Sequence, residues 1–60
     1  MSQWRVVTDC GTVTVFAKSE AQAASRGKWK AVHAEYTFQG RAEEMAAVRD
    51  CEVYRVERVS

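Results

Sequence analysis

A chain of 60 residues is expected to form a single domain over positions 1–60, and at that size only about 60% of the unfolded surface is buried. Leucine, isoleucine, proline and asparagine are absent, and the aliphatic residues are nine valines and nine alanines, which suit strands and a thin helix face. Nine Lys/Arg against eight Asp/Glu give a net charge of +1, which argues against the strong basic field of a dedicated nucleic-acid binder. The six aromatic residues, Trp4, Phe16, Trp29, Tyr36, Phe38 and Tyr54, are expected to supply much of the core. No apolar run is long enough for a signal peptide or a membrane span, so a cytoplasmic location is expected.

Residues 3–8 and 12–17 are valine- and threonine-rich runs on either side of Asp9-Cys10-Gly11. Gly11 supplies the positive φ of a tight hairpin. A Cys10-Gly11 loop sets Thr8 against Val13, Val6 against Val15 and Trp4 against Ala17 on the core face. Arg5 then opposes Phe16, and Val7 opposes Thr14, on the other face.

Ser19-Glu20-Ala21-Gln22 reads as a capping box, Ser19 accepting from the Gln22 amide and Gln22 reaching back to the Ser19 amide. The helix that follows is predicted to end at 34–36. At about 100° per residue, Ala23, Ala24, Gly27, Ala31 and Ala34 share one quadrant, a small-residue face for close contact with the hairpin. Trp29, Val32 and Tyr36 lie on the adjoining flank, where a second element is expected to cover them. That element is a short helix over 41–48, with Glu43 and Glu44 in its first turn, Arg49 at its end, and Ala42, Met45 and Val48 inward. Residues 51–59 read as a third strand with Tyr54 and Val56 inward and Val53, Arg55 and Val59 outward. A right-handed crossover then gives an α+β fold of ββααβ order: a three-stranded antiparallel sheet, strand order 2-1-3, with both helices on one face.

That topology leaves a sheet face open. Arg5, Val7, Thr14, Phe16, Val53 and Arg55 would form an apolar patch ringed by arginine, the residue types that concentrate binding energy at interfaces. A second candidate surface is acidic: Glu43, Glu44, Asp50 and Glu52, with Glu35 nearby, either a phosphate mimic or ordinary helix-dipole and solubility charge. His33 with Arg26 and Lys30 is either a phosphate-binding stripe or a solvated helix face. Cys10 and Cys51 are brought to the same end of the sheet, either as a disulfide or as two reduced thiols, and the reduced state is the expectation for a cytosolic chain. Two cysteines and one distant histidine do not make a four-ligand zinc pattern, so neither metal nor cofactor is expected. No nucleophile has a base at recognisable spacing, and no enzyme activity is expected.

Three segments carry a resemblance: Val13-Thr14-Val15-Phe16-Ala17-Lys18-Ser19 leading into Ala23-Ala24, then Tyr36-Thr37-Phe38, then Val53-Tyr54-Arg55-Val56-Glu57-Arg58-Val59. In this order the chain resembles small orphan bacteriophage proteins of ββααβ type, anti-CRISPR proteins among them. The resemblance implies a non-enzymatic phage or mobile-element protein that binds a host protein complex in the cytoplasm, a CRISPR effector component being the most concrete case, and blocks it sterically. It implies docking through the open sheet face or through the Glu43–Glu44 region. The alternative is a small nucleic-acid binder that uses Arg5, Phe16 and Arg55 as a stacking and phosphate-contacting platform. A homodimer paired through sheet edges or open faces is the remaining expectation.

Overall fold

The two valine-rich runs form strands β1 (Ser2–Thr8) and β2 (Gly11–Ala17) of an antiparallel hairpin, in a computed structural model that describes residues 1–60. Its register differs by two residues from the predicted one. Val6 opposes Val13, Trp4 opposes Val15, and Thr8 opposes Gly11. The turn residues are therefore Asp9 and Cys10. Neither has a positive φ, and Gly11 takes φ 136° immediately after them. The Thr8 hydroxyl fixes this turn by donating to the Gly11 carbonyl at 2.7 Å and accepting from the Cys10 amide at 3.1 Å. Because the shift is even, Trp4, Val6 and Thr8 keep their predicted core face.

Helix α1 (Glu20–Glu35) begins where the capping signal puts it, with Ser19 Oγ accepting from the Gln22 amide at 3.2 Å. The return bond goes one residue further out than expected, from the Lys18 amide to Gln22 Oε1 at 2.7 Å. The small-residue stripe lies on the sheet: Ala23, Gly27 and Ala31 are buried. A Cβ built on Gly27 would lie 2.5–2.7 Å from Val6 Cγ1, Cβ and Cγ2, so the glycine is required by the approach of α1 to β1.

Helix α2 (Arg41–Asp50) runs two residues beyond its predicted end and lies against α1 rather than on the sheet. Its inner side is Ala47 and Val48, continued by Cys51, whereas Ala42 is exposed and Met45 is 47% exposed. The helix is thus rotated from the expected setting, with Glu44 partly inward toward α1.

Strand β3 (Val53–Arg58) pairs with β1, completing an antiparallel sheet in the order β2-β1-β3. Val7 opposes Arg55 but Thr8 opposes Val53, so Tyr54 is an extra residue in a β-bulge. The bulge reverses part of the predicted alternation. Val53 and Val56 pack on the core, and Tyr54 is 61% exposed.

Two small clusters form the interior. Val6, Val15, Ala17 and Ala23 lie between sheet and α1; Val32, Val48 and Cys51 lie between the helices. Only valines are large and fully buried, namely Val6 and Val32. Contrary to expectation, the aromatics border this core rather than fill it. Trp4, Trp29 and Phe38 are half-buried, while Phe16, Tyr36 and Tyr54 are exposed.

Candidate functional site

Strand alternation turns Arg5, Val7, Thr14, Phe16 and Arg55 away from the helices. No helix covers this side. Phe16 is 60% exposed, Val7 is half-buried, and the others are exposed. The register places Phe16 opposite Gln3 rather than Arg5, which becomes a diagonal neighbour at about 7–8 Å. Val53 does not belong to this face: the bulge carries it inward, against the core. Arg55 pairs with Glu57 through Nε to Oε1 at 2.9 Å, which offsets part of the positive charge.

Beside Phe16 the sheet ends in the edge strand β2, whose outward carbonyls are satisfied from α1. Arg26 Nη1 donates to the Phe16 carbonyl at 2.7 Å, and Lys30 Nζ donates to the Thr14 carbonyl at 2.6 Å. These contacts occupy part of an edge that could otherwise pair with another strand. A groove of about 470 Å³ follows this edge, lined by Gln3, Thr14, Val15, Phe16, Arg26 and Lys30. Arg26 and Lys30 thus tie α1 to β2, and with His33 they line a second groove of about 630 Å³ on the outer side of α1.

His33 has a different task. Its Nδ1 meets the Trp29 carbonyl at 2.7 Å and its Nε2 meets Glu44 Oε2 at 2.8 Å. Both partners accept hydrogen bonds, so only the doubly protonated ring can donate to both. The bond to Glu44, with the Trp29 carbonyl second, accordingly raises the His33 pKa above 6.5. The ring stacks on Trp29 at 5.6 Å and meets the edge of Phe38 at 5.7 Å. His33 thus joins α1 to α2. Of the two acidic candidates, Glu44 is engaged in this link, whereas Glu43 is exposed with no ion pair of its own.

The fold brings together a third group that sequence reasoning found only in part. Cys10 and Cys51 are free thiols and neighbours, as the topology predicts, and Asp9 joins them: one donor atom from each lies within 4.8 Å of the others. Two backbone links hold the hairpin turn to the chain leaving α2. The Asp9 amide donates to the Glu52 carbonyl at 3.0 Å, and the Glu52 amide donates to Asp9 Oδ1 at 3.2 Å. The second bond holds the Asp9 carboxyl below its usual range. Burial, with Cys51 and Asp9 alongside, pushes the Cys10 thiol up to about 12. Tyr36 is also raised, chiefly by the charge of Cys10, and Tyr54 by desolvation and then Asp9. Asp9 was legible only as a turn residue, because its meeting with Cys51 depends on the β3 bulge and the end of α2. No protein-family model, curated protein or solved structure matches this chain.

Proposed function

We propose that the protein is a non-enzymatic binding module that docks through its uncovered sheet face and inhibits a host protein complex by steric occlusion. The observation that carries this reading is Phe16, 60% exposed on a sheet side that no helix covers, with Arg5 diagonal to it and Val7 and Arg55 farther along the same side. An exposed aromatic ring with an arginine diagonal to it on a rigid strand scaffold is suited to insertion in an apolar pocket with an acidic rim. The resemblance to small phage proteins supplies the most concrete partner, an effector complex of the CRISPR kind. The Glu43–Glu44 region is the less favoured surface, because Glu44 already bonds to His33.

Nucleic-acid binding is the weaker reading for a related reason: Glu57 offsets part of the Arg55 charge, and the net charge of the chain is only +1. Two measurements test the proposal together. Affinity capture from a bacterial lysate with the wild-type chain and with the Phe16→Ala and Arg5→Glu variants should recover one defined complex with the wild type and lose it with both variants. Binding to a labelled single strand should be negligible at low salt. Retention of the complex by both variants would overturn the docking face, and tight strand binding with a steep salt dependence would favour the nucleic-acid reading.

A further inference from the structure

The Asp9–Cys10–Cys51 group lies outside the proposed docking face and has the chemistry of a cation site. Its three donors come from two separate places, the β1–β2 turn and the C-cap of α2, and all converge within 4.8 Å. Each is positioned by backbone bonds. Asp9 and Glu52 are doubly linked, the Cys10 amide donates to Thr8 Oγ1, and the Cys51 amide donates to the Ala47 and Val48 carbonyls. Cys51 is 3% exposed, so one sulfur is held in the interior beside a carboxylate.

The nearest cations are Arg49, paired with Asp50 at 3.3 Å, and Lys28, which shares a groove with Asp50, Cys51 and Glu52 on the α1 side. A cavity of about 200 Å³ opens at the cluster, lined by Asp9, Cys10, Tyr36, Ala47, Asp50 and Cys51, and none of these is Lys, Arg or His. Every polar side chain on that wall is an acid or a potential oxygen or sulfur ligand.

We propose that Asp9, Cys10 and Cys51 form a binding site for a borderline-soft divalent cation of the zinc class, with the fourth position open to the cavity beside Asp50. Two thiolates and a carboxylate are a donor set for such an ion, with metal–sulfur distances of about 2.3 Å and metal–oxygen distances of about 2.0–2.2 Å. A tetrahedral arrangement then needs donor separations of roughly 3.5–3.8 Å. Cys10 Sγ and Asp9 Oδ1 are already 3.4 Å apart. The other separations lie within 4.8 Å, so closing them to tetrahedral values takes about 1 Å at most. On binding, the cation takes up both sulfurs as thiolates and the two thiol protons pass to solvent. The sequence pattern conceals the site because it offers His33 as the third ligand, whereas the fold supplies Asp9.

The test uses the full chain kept reduced with a phosphine and titrated with Co²⁺ alone. It is then titrated with Zn²⁺ against a chromophoric chelator. The expected result is one equivalent of cobalt with the visible bands of a four-coordinate ion and a thiolate charge-transfer band in the near ultraviolet, both erased by zinc. Loss of a mere supporting partner costs metal sites about 10–100-fold, so Cys10→Ser should weaken binding by at least about 100-fold and Asp9→Asn by at least about tenfold. Both changes lie in the surface turn, and an asparagine carbonyl can still accept from the Glu52 amide, so circular dichroism should show both variants folded. Absence of the cobalt bands from the reduced chain, or unchanged affinity in Asp9→Asn, would each overturn the proposal.

Discussion

Gly27→Ala is the sharpest perturbation of the fold. In an exposed helix the exchange gains about 1 kcal/mol from propensity alone. Here the new methyl would meet three Val6 atoms at 2.5–2.7 Å. One of them is the Val6 Cβ, which no side-chain rotation can move, and Val6 is fully buried on the middle strand. Relief therefore requires α1 to lift from the sheet. Overpacking of this kind costs about 1–3 kcal/mol, and the immovable Cβ places the site near the upper end. The net expectation is destabilisation by about 2 kcal/mol, or roughly 8–16 °C in melting temperature for a domain of this size. Thermal and urea unfolding followed by circular dichroism measure it. Adding Val6→Ala removes two of the three clashing atoms, so the double variant should lose less than the sum of the singles, with a coupling of about 1 kcal/mol. A variant that melts higher than the wild type would refute the close helix–sheet seat, because only the propensity gain would then remain.

Three other outcomes follow from particular side chains. Phe16→Ala should change unfolding free energy by less than about 0.5 kcal/mol, as for exposed positions generally, while abolishing partner capture. Thr8→Val should cost about 1–3 kcal/mol in urea unfolding, since it removes the hydroxyl that both accepts from the Cys10 amide and donates to the Gly11 carbonyl. The His33 pKa is higher folded than unfolded, so its contribution to stability is complete below pH 6.5 and disappears as pH rises through the folded value. Melting temperature should accordingly fall between slightly acidic and mildly alkaline buffer, and His33→Gln should flatten that decline; an equal slope in both proteins would remove the Glu44 link from the account.

The legible parts of the fold were those set by local chemistry. Ser19 and Gln22 mark the start of α1 by capping, and Gly27 within an alanine stripe marks a helix that approaches its sheet closely. The strand order follows from chain direction and the right-handed crossover. What escaped was decided by tertiary context. A single glycine at a turn does not reveal whether it occupies the turn or follows it, and the Thr8 hydroxyl determines that it follows. The β3 bulge sits next to the Asp9–Glu52 bonds, which join positions 43 residues apart, and no strand pattern contains such a link. It is that bulge which removes Val53 from the uncovered sheet side. The rotation of α2 has a similar cause, since Glu44 turns toward His33 and the apolar Met45 is left outside. The uncovered sheet side was legible apart from Val53, because alternation fixes which residues of a strand share a side.

Solvent paramagnetic relaxation of the free chain, with a soluble gadolinium chelate and residue-resolved NMR, tests the one-sided sheet most directly. The Phe16 ring and the Arg5 and Arg55 side chains should relax strongly, while the methyl groups of Val6 and Val32 should be protected. Equal protection of Phe16 and Val6 would contradict the account, and the docking face would have to be abandoned.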